Sequence, residues 1–132
     1  GFGPWLPFQM LALGWMGSGA GFVGLATRRM RPWPEVGVLA AYGWAWGFGF
    51  GAILNLWFWP FQRGGALDWQ PGMSLAESLD RYWSFYVATS LAWDAAGALA
   101  NAVIILIVGR ALMATLRRYA HRLEPITTLE PA

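Results

Sequence analysis

The sequence predicts an all-α protein, a polytopic membrane helix bundle, from three observations. First, 57% of its 132 residues are hydrophobic, 17% are aromatic and only 12% are charged, against about 25% charged in a typical soluble domain. A soluble chain of this size cannot hide so much apolar surface, so a bilayer must solvate part of it. Second, three apolar stretches are each long enough to cross a hydrocarbon core of about 30 Å. Third, the arginines that separate them are unevenly distributed in a way that gives an orientation.

The first stretch, Phe2 to Thr27, holds no charge and ends at Arg28, Arg29, Met30 and Arg31. Pro32-Trp33-Pro34-Glu35 then reads as a proline-ruled turn that allows a tight reversal between two helices. The second stretch, Val36 to Gln62, contains no Asp, Glu, Lys or Arg over its 27 residues, about 40 Å as a helix. Between the second and third lies a polar segment, 63–81, broken by Gly64, Gly65, Pro71 and Gly72. The third stretch, Tyr82 to Gly109, has Asp94 as its only charge. Ser74-Leu75-Ala76-Glu77 is a capping-box pattern that places a helix start near Leu75. From there to Tyr119 is about 67 Å of helix, too long for one span. A short external helix bending into a span near Thr89 accounts for it, with a fourth, re-entrant segment over 82–96 as the alternative.

The expected organisation is a membrane helical domain over 1–122, with spans at about 4–27, 36–59 and 89–118. An external loop with a short helix occupies 61–84, and a tail occupies 123–132. Three arginines follow the first span, and Arg110, Arg117, Arg118 and Arg122 follow the third. The loop after the second has Arg63 and Arg81, opposed by Asp68, Glu77 and Asp80. The positive-inside rule places the 28–35 turn and the C-terminus in the cytoplasm and 61–81 outside. GFGPWLPF has neither a basic start nor a small-residue cleavage site, so it is not a signal peptide. A span beginning almost at residue 1, which is Gly, is expected of a C-terminal fragment of a longer chain.

Several function classes are excluded or weakened. There is no cysteine, hence no thiol catalysis, disulfide or thiolate metal site. The net charge of +2 does not suggest nucleic acid. His121 is the one histidine, at a basic helix end where it reads as a solvated residue, and no catalytic constellation, phosphate loop or metal cluster accompanies it. No enzyme activity, metal or cofactor is expected.

The residues that carry chemistry lie near the outer ends of the spans. Asp94 is 16 residues before Arg110, about 24 Å along a helix. A carboxylate at that depth should face water or a partner; capping the inner helix, or pairing with Arg63 or Arg81, is the plainer alternative. Asn101 is two helical turns further on the same face, and Tyr86 and Ser90 precede Asp94 on it if the helix is straight. Asn55 and Trp59 share a face of the second span, with Gly51 and Ala52 leaving space beneath. An aromatic belt explains part of Trp57, Trp59, Trp69, Trp83 and Trp93 but not Asn55. Asn55, Trp59, Tyr86, Trp93, Asp94 and Asn101 are therefore the candidate substrate-binding residues, a pocket that offers a carboxylate, amides and indoles. Such walls would suit a cationic or heteroaromatic compound, a thiamine-related one for example. Gly43, Gly47 and Gly51, Gly17 and Gly21, and Ala92, Ala96 and Ala100 form small-residue stripes, which serve internal packing or the docking of another subunit.

The order GPWLPFQMLALGWMGSGAG, the proline turn, AYGWAWGFGFGAILNLWFWPF and YVATSLAWDAAGALANAVIILIVGRALMATLRR resembles the substrate-binding (S) components of energy-coupling factor (ECF) vitamin transporters, especially actinobacterial members. The resemblance covers about residues 3–119. It implies a six-span fold of which this chain supplies spans four to six, and a multi-pass location in the cell membrane surrounded by lipid. It implies capture of a small vitamin-like ligand near the outer face. It also implies partnership with a transmembrane coupling subunit and two ATPase subunits that deliver the ligand inside. The family's alanine-xxx-alanine docking motif belongs to its first span and is not transferred to Ala92, Ala96 and Ala100. Without spans one to three the pocket is incomplete. A non-transport membrane scaffold that packs through its glycine and alanine stripes is the alternative function.

Overall fold

A computed structural model describes residues 2–123, with side chains to residue 120. It is all-helical. Four α-helices, α1 (Leu6–Thr27), α2 (Pro32–Phe58), α3 (Leu75–Thr89) and α4 (Leu91–Leu123), follow in chain order, with a 3-10 turn at Trp59–Phe61 after α2. Three helical segments are long and apolar enough to cross a membrane: Leu6–Thr27, Pro32–Phe61 and Leu91–Ala120. The chain thus has the makings of a multi-pass membrane protein, and α3 is not among the candidate spans.

Proline sets most of the boundaries. Pro7 lies in the first turn of α1, where a missing N–H costs nothing because first-turn amides have no intrahelical partner. The reversal after α1 is made by residues 28–31, closed by a hydrogen bond from Met30 N to Thr27 O (2.8 Å). Arg31 is extended (φ −64°, ψ 155°), as the residue before a proline prefers. Pro32 through Glu35, read from the sequence as the turn itself, instead form the first turn of α2. Proline is tolerated there for the reason that admits Pro7, so α2 begins four residues earlier than expected. At its far end Pro60 enters the 3-10 turn, and Gln62 N closes it on Trp59 O.

The loop that follows is tied down rather than free. The indole N–H of Trp59 donates to Leu67 O (2.8 Å), Gly65 N donates to the Asp68 carboxylate (2.6 Å), and Arg81 donates to Asp68 O (3.3 Å). Gly64 and Gly72 adopt φ of 96° and 90°, values that side chains rarely accept. The capping box at Ser74 is formed: its hydroxyl accepts from Glu77 N, and Glu77 reaches back to Ser74 N. α3 ends at Thr89 with Ser90 as its C-cap (φ −130°, ψ −29°), and α4 starts at Leu91. Its 33 residues extend about 50 Å, further than a hydrocarbon core is thick.

α2 is the centre of the bundle, with α4 packed most extensively against it, α1 on another side and α3 across its end. The α2–α4 pair is antiparallel: Gly43, Gly47 and Gly51 meet Ile105, Ala98 and Asp94 in turn. At Gly47 a Cβ would collide with the backbone of Ala98, and at Gly51 with the Asp94 carboxylate. This glycine stripe is therefore used for internal packing. The other two stripes are not: Gly17 and Gly21 have open space around them, and Ala92, Ala96 and Ala100 are unburied. The residues that make the close contacts are Gly19, beneath the Tyr42 hydroxyl, and Ala98, fully buried. On the α1 side, Tyr42 donates to Met16 O (2.6 Å) and Phe8 packs on Trp57 with ring centroids 4.8 Å apart.

At the opposite end of α2, Glu35 is 2% exposed and both of its oxygens accept from Arg117 Nη2, at 2.5 and 2.7 Å. This is the one ion pair among the described residues. It joins the start of α2 to the last third of α4, so the 28–31 reversal and the arginine-rich part of α4 share one end of the bundle. Of the tail expected at 123–132, Leu123 closes α4, and 124–132 lie outside the described residues.

Candidate functional site

Because α1 and α4 both pack on α2 and not closely on each other, a groove runs over α2 between them. Its upper part is a cavity of about 290 Å³. Leu13 and Met16 of α1, Trp46 and Phe50 of α2, and Trp93, Asp94, Gly97 and Asn101 of α4 line it. The groove continues as a second, apolar cavity of about 400 Å³, with Met16 and Asn101 shared by the two.

Asp94 is the chemical centre of this arrangement. It sits in the first turn of α4, where the helix dipole favours an acid, and its backbone N–H donates to Ser90 O. The carboxylate lies on the backbone of Gly51, which only glycine at that position allows. Its Oδ2 accepts the Tyr86 hydroxyl at 2.8 Å. Neither Arg63 nor Arg81 pairs with it, Arg81 being turned to Asp68. Asp94 thus has a neutral donor on one side, a cavity on another and no cation among the described residues beside it.

Behind Asp94 stands an aromatic stack. Tyr82 and Tyr86 are stacked at 6.4 Å, Trp59 meets Tyr82 edge-on at 5.5 Å, and Tyr82 donates to Ala52 O (2.6 Å). Burial, followed by the hydrogen bond to Asp94 and its charge, holds the Tyr86 hydroxyl well above the usual tyrosine range. Burial and the Asp94 charge raise Tyr82 in the same direction. Both phenols therefore stay protonated, and Tyr86 remains a donor to Asp94.

The six sequence-proposed residues are brought together in part. Trp93, Asp94 and Asn101 line one cavity. Trp93 is 80% exposed, and Asn101 donates to Gly43 O (3.3 Å). Tyr86 joins them from the α3 side through its hydrogen bond. Trp59, 4% exposed, stands behind Tyr82 with its N–H already bound to Leu67 O. Asn55 is half-buried on α2, apart from the cavity that Asp94 lines. Tyr82, Met16, Trp46 and Phe50 were not anticipated. Tyr82 is one turn before Tyr86 on α3, and Trp46 and Phe50 each precede a stripe glycine, so helical spacing offered a signal for these three.

No family model, curated protein or solved structure matches this chain. What the chain itself defines is a class: an all-helical protein with three helices able to span a membrane, and one acidic side chain at a groove between them.

Proposed function

We propose that this chain is a membrane-embedded, substrate-binding subunit of the S-component kind. It would hold a small vitamin-like ligand at the Asp94 groove and work with a coupling subunit and two ATPase subunits as the machinery of an importer. The observation that carries the reading is Asp94 itself. A carboxylate in an apolar span is costly to keep, yet here it has a hydroxyl donor, a glycine cradle and a cavity on its open side, with no cation beside it among the described residues. An organic cation with a ring would satisfy the charge, and Trp93 and Trp46 offer faces for stacking or cation–π contact. The resemblance of residues 3–119 to ECF S components supports the same reading and supplies the partners. The ATPase activity belongs to those partners.

The test is a thermal-stability screen of the purified full-length protein in detergent against vitamins and their precursors, cationic and anionic. A ligand that binds the folded state alone raises the unfolding temperature in proportion to its saturation. The reading expects stabilisation by one cationic or heteroaromatic compound, lost in Asp94→Asn. The scaffold reading draws on Gly17, Gly21, Ala92, Ala96 and Ala100, small residues left unburied, and would be favoured by a well-folded sample that no ligand stabilises.

A further inference from the structure

The end of the bundle opposite Asp94 is strongly basic. Arg28, Arg29, Arg31, Arg110, Arg117, Arg118 and Arg122 are seven of the nine arginines, and Glu35 is the acid that α2 places among them. A cavity of about 220 Å³ lies there between the first turn of α2 and the 110–117 stretch of α4. Val36, Met113 and Ala114 give it apolar walls, and Arg110 and Arg117 give it charged ones.

The two arginines hold their donors in reserve. Arg117 binds both Glu35 oxygens through Nη2 alone, so Nη1 and Nε have no partner among the described residues. The Arg110 guanidinium stands over the Trp33 ring at 5.5 Å. A cation–π contact orients it without engaging its N–H groups, and it has no hydrogen bond or ion pair within the described residues. The lining residues carry two positive charges and one negative, leaving one positive charge over.

We infer that this cavity is a binding site for the phosphate headgroup of an anionic phospholipid. Arginine is suited to phosphate oxygens because its planar fork presents several donors at once. The apolar walls select a lipid over free phosphate, since they can take the glycerol and first methylenes of a chain lying along α2 and α4. The inference rests on these helices being membrane spans and is independent of the ligand proposed at Asp94.

The experiment is native mass spectrometry of the intact chain released from detergent, counting retained phosphatidylglycerol against phosphatidylcholine. Wild type should retain phosphatidylglycerol preferentially. Arg110→Gln should reduce that retention about fivefold, the usual worth of one arginine at an anionic surface, and leave phosphatidylcholine unchanged. Ala114→Phe keeps every charge but fills the cavity, and it should reduce retention as well. Arg63→Gln, at the other end, should change nothing. Arg110 and Ala114 are both unburied, so both variants should keep the wild-type helical circular dichroism. Equal retention of the two lipids by wild type would overturn the site. So would an undiminished preference in Ala114→Phe, which would leave charge attraction alone, or displacement of the lipid by millimolar inorganic phosphate.

Discussion

At the scale of single residues, the Asp94–Tyr86–Gly51 contact governs the rest. The Tyr86 hydroxyl is the one donor to the Asp94 side chain among the described residues, and hydrogen bonds to charged groups contribute about 1.5–3 kcal/mol. Tyr86→Phe should lower stability by about that much, read as a fall in the unfolding temperature in detergent. Gly51→Ala should act through the same carboxylate from the other side, because a Cβ collides with it; overpacking of this kind costs about 1–3 kcal/mol. Asp94 was legible in the sequence because a lone charge in an apolar run is conspicuous. Trp59 shows the limit of that reading. Its spacing from Asn55 suggested a pocket wall, but nothing local reveals that its N–H is satisfied by Leu67 O eight residues on.

At the scale of elements, the start of α3 was readable because a capping box is a local device that needs only residues 74–77. Ser74→Ala should destabilise α3 by about 1 kcal/mol, measurable as faster amide exchange over 75–80. The backbone and side-chain hydrogen bonds with Ser74 hold Glu77 below the ordinary carboxylate range. A folded-state pKa below the unfolded one adds stability above the unfolded pKa and loses it as pH falls through the folded value. The cap should therefore be intact at neutral pH and weaken below about pH 4.5, visible as α3 exchange that accelerates before that of α2. The glycine stripes needed more than local information. Periodicity groups Ala92, Ala96 and Ala100 as readily as Gly43, Gly47 and Gly51, but only packing decides which face of α4 meets α2, and it is the face of Ala98. Gly47→Leu should accordingly disrupt the α2–α4 pair, while Gly17→Leu should leave thermal stability nearly unchanged.

At the scale of the whole molecule, apolar burial is thin. The buried apolar side chains among the described residues are Ala12, Val36, Ala40, Trp59, Phe85, Tyr86 and Ala98, while Trp15, Phe22, Ile104 and Ile107 are exposed. Such surfaces need lipid or protein against them. The bundle is instead pinned at its ends, by Glu35–Arg117 at one and by the edge-on Tyr82–Trp59 contact at the other. The ion pair joins positions 82 apart, and no sequence pattern short of the fold connects them; in the sequence the arginine signals topology alone. Arg117→Ala should cost about 3 kcal/mol, the low end for breaking a buried pair, because the guanidinium is half exposed. The chain has no cysteine, so single-cysteine labelling can test orientation: Arg29→Cys should resist an impermeant thiol reagent added outside, and Ala66→Cys should react.

The central claim, that Asp94 anchors a ligand at the groove, is tested most directly by equilibrium titration. The stabilising compound from the thermal screen would be titrated into wild type and Asp94→Asn, two side chains of nearly equal size. A loss of tenfold or more in affinity, with the helical circular dichroism unchanged, is the predicted result. Equal affinity in the two proteins, or selective binding of anions by wild type, would contradict it.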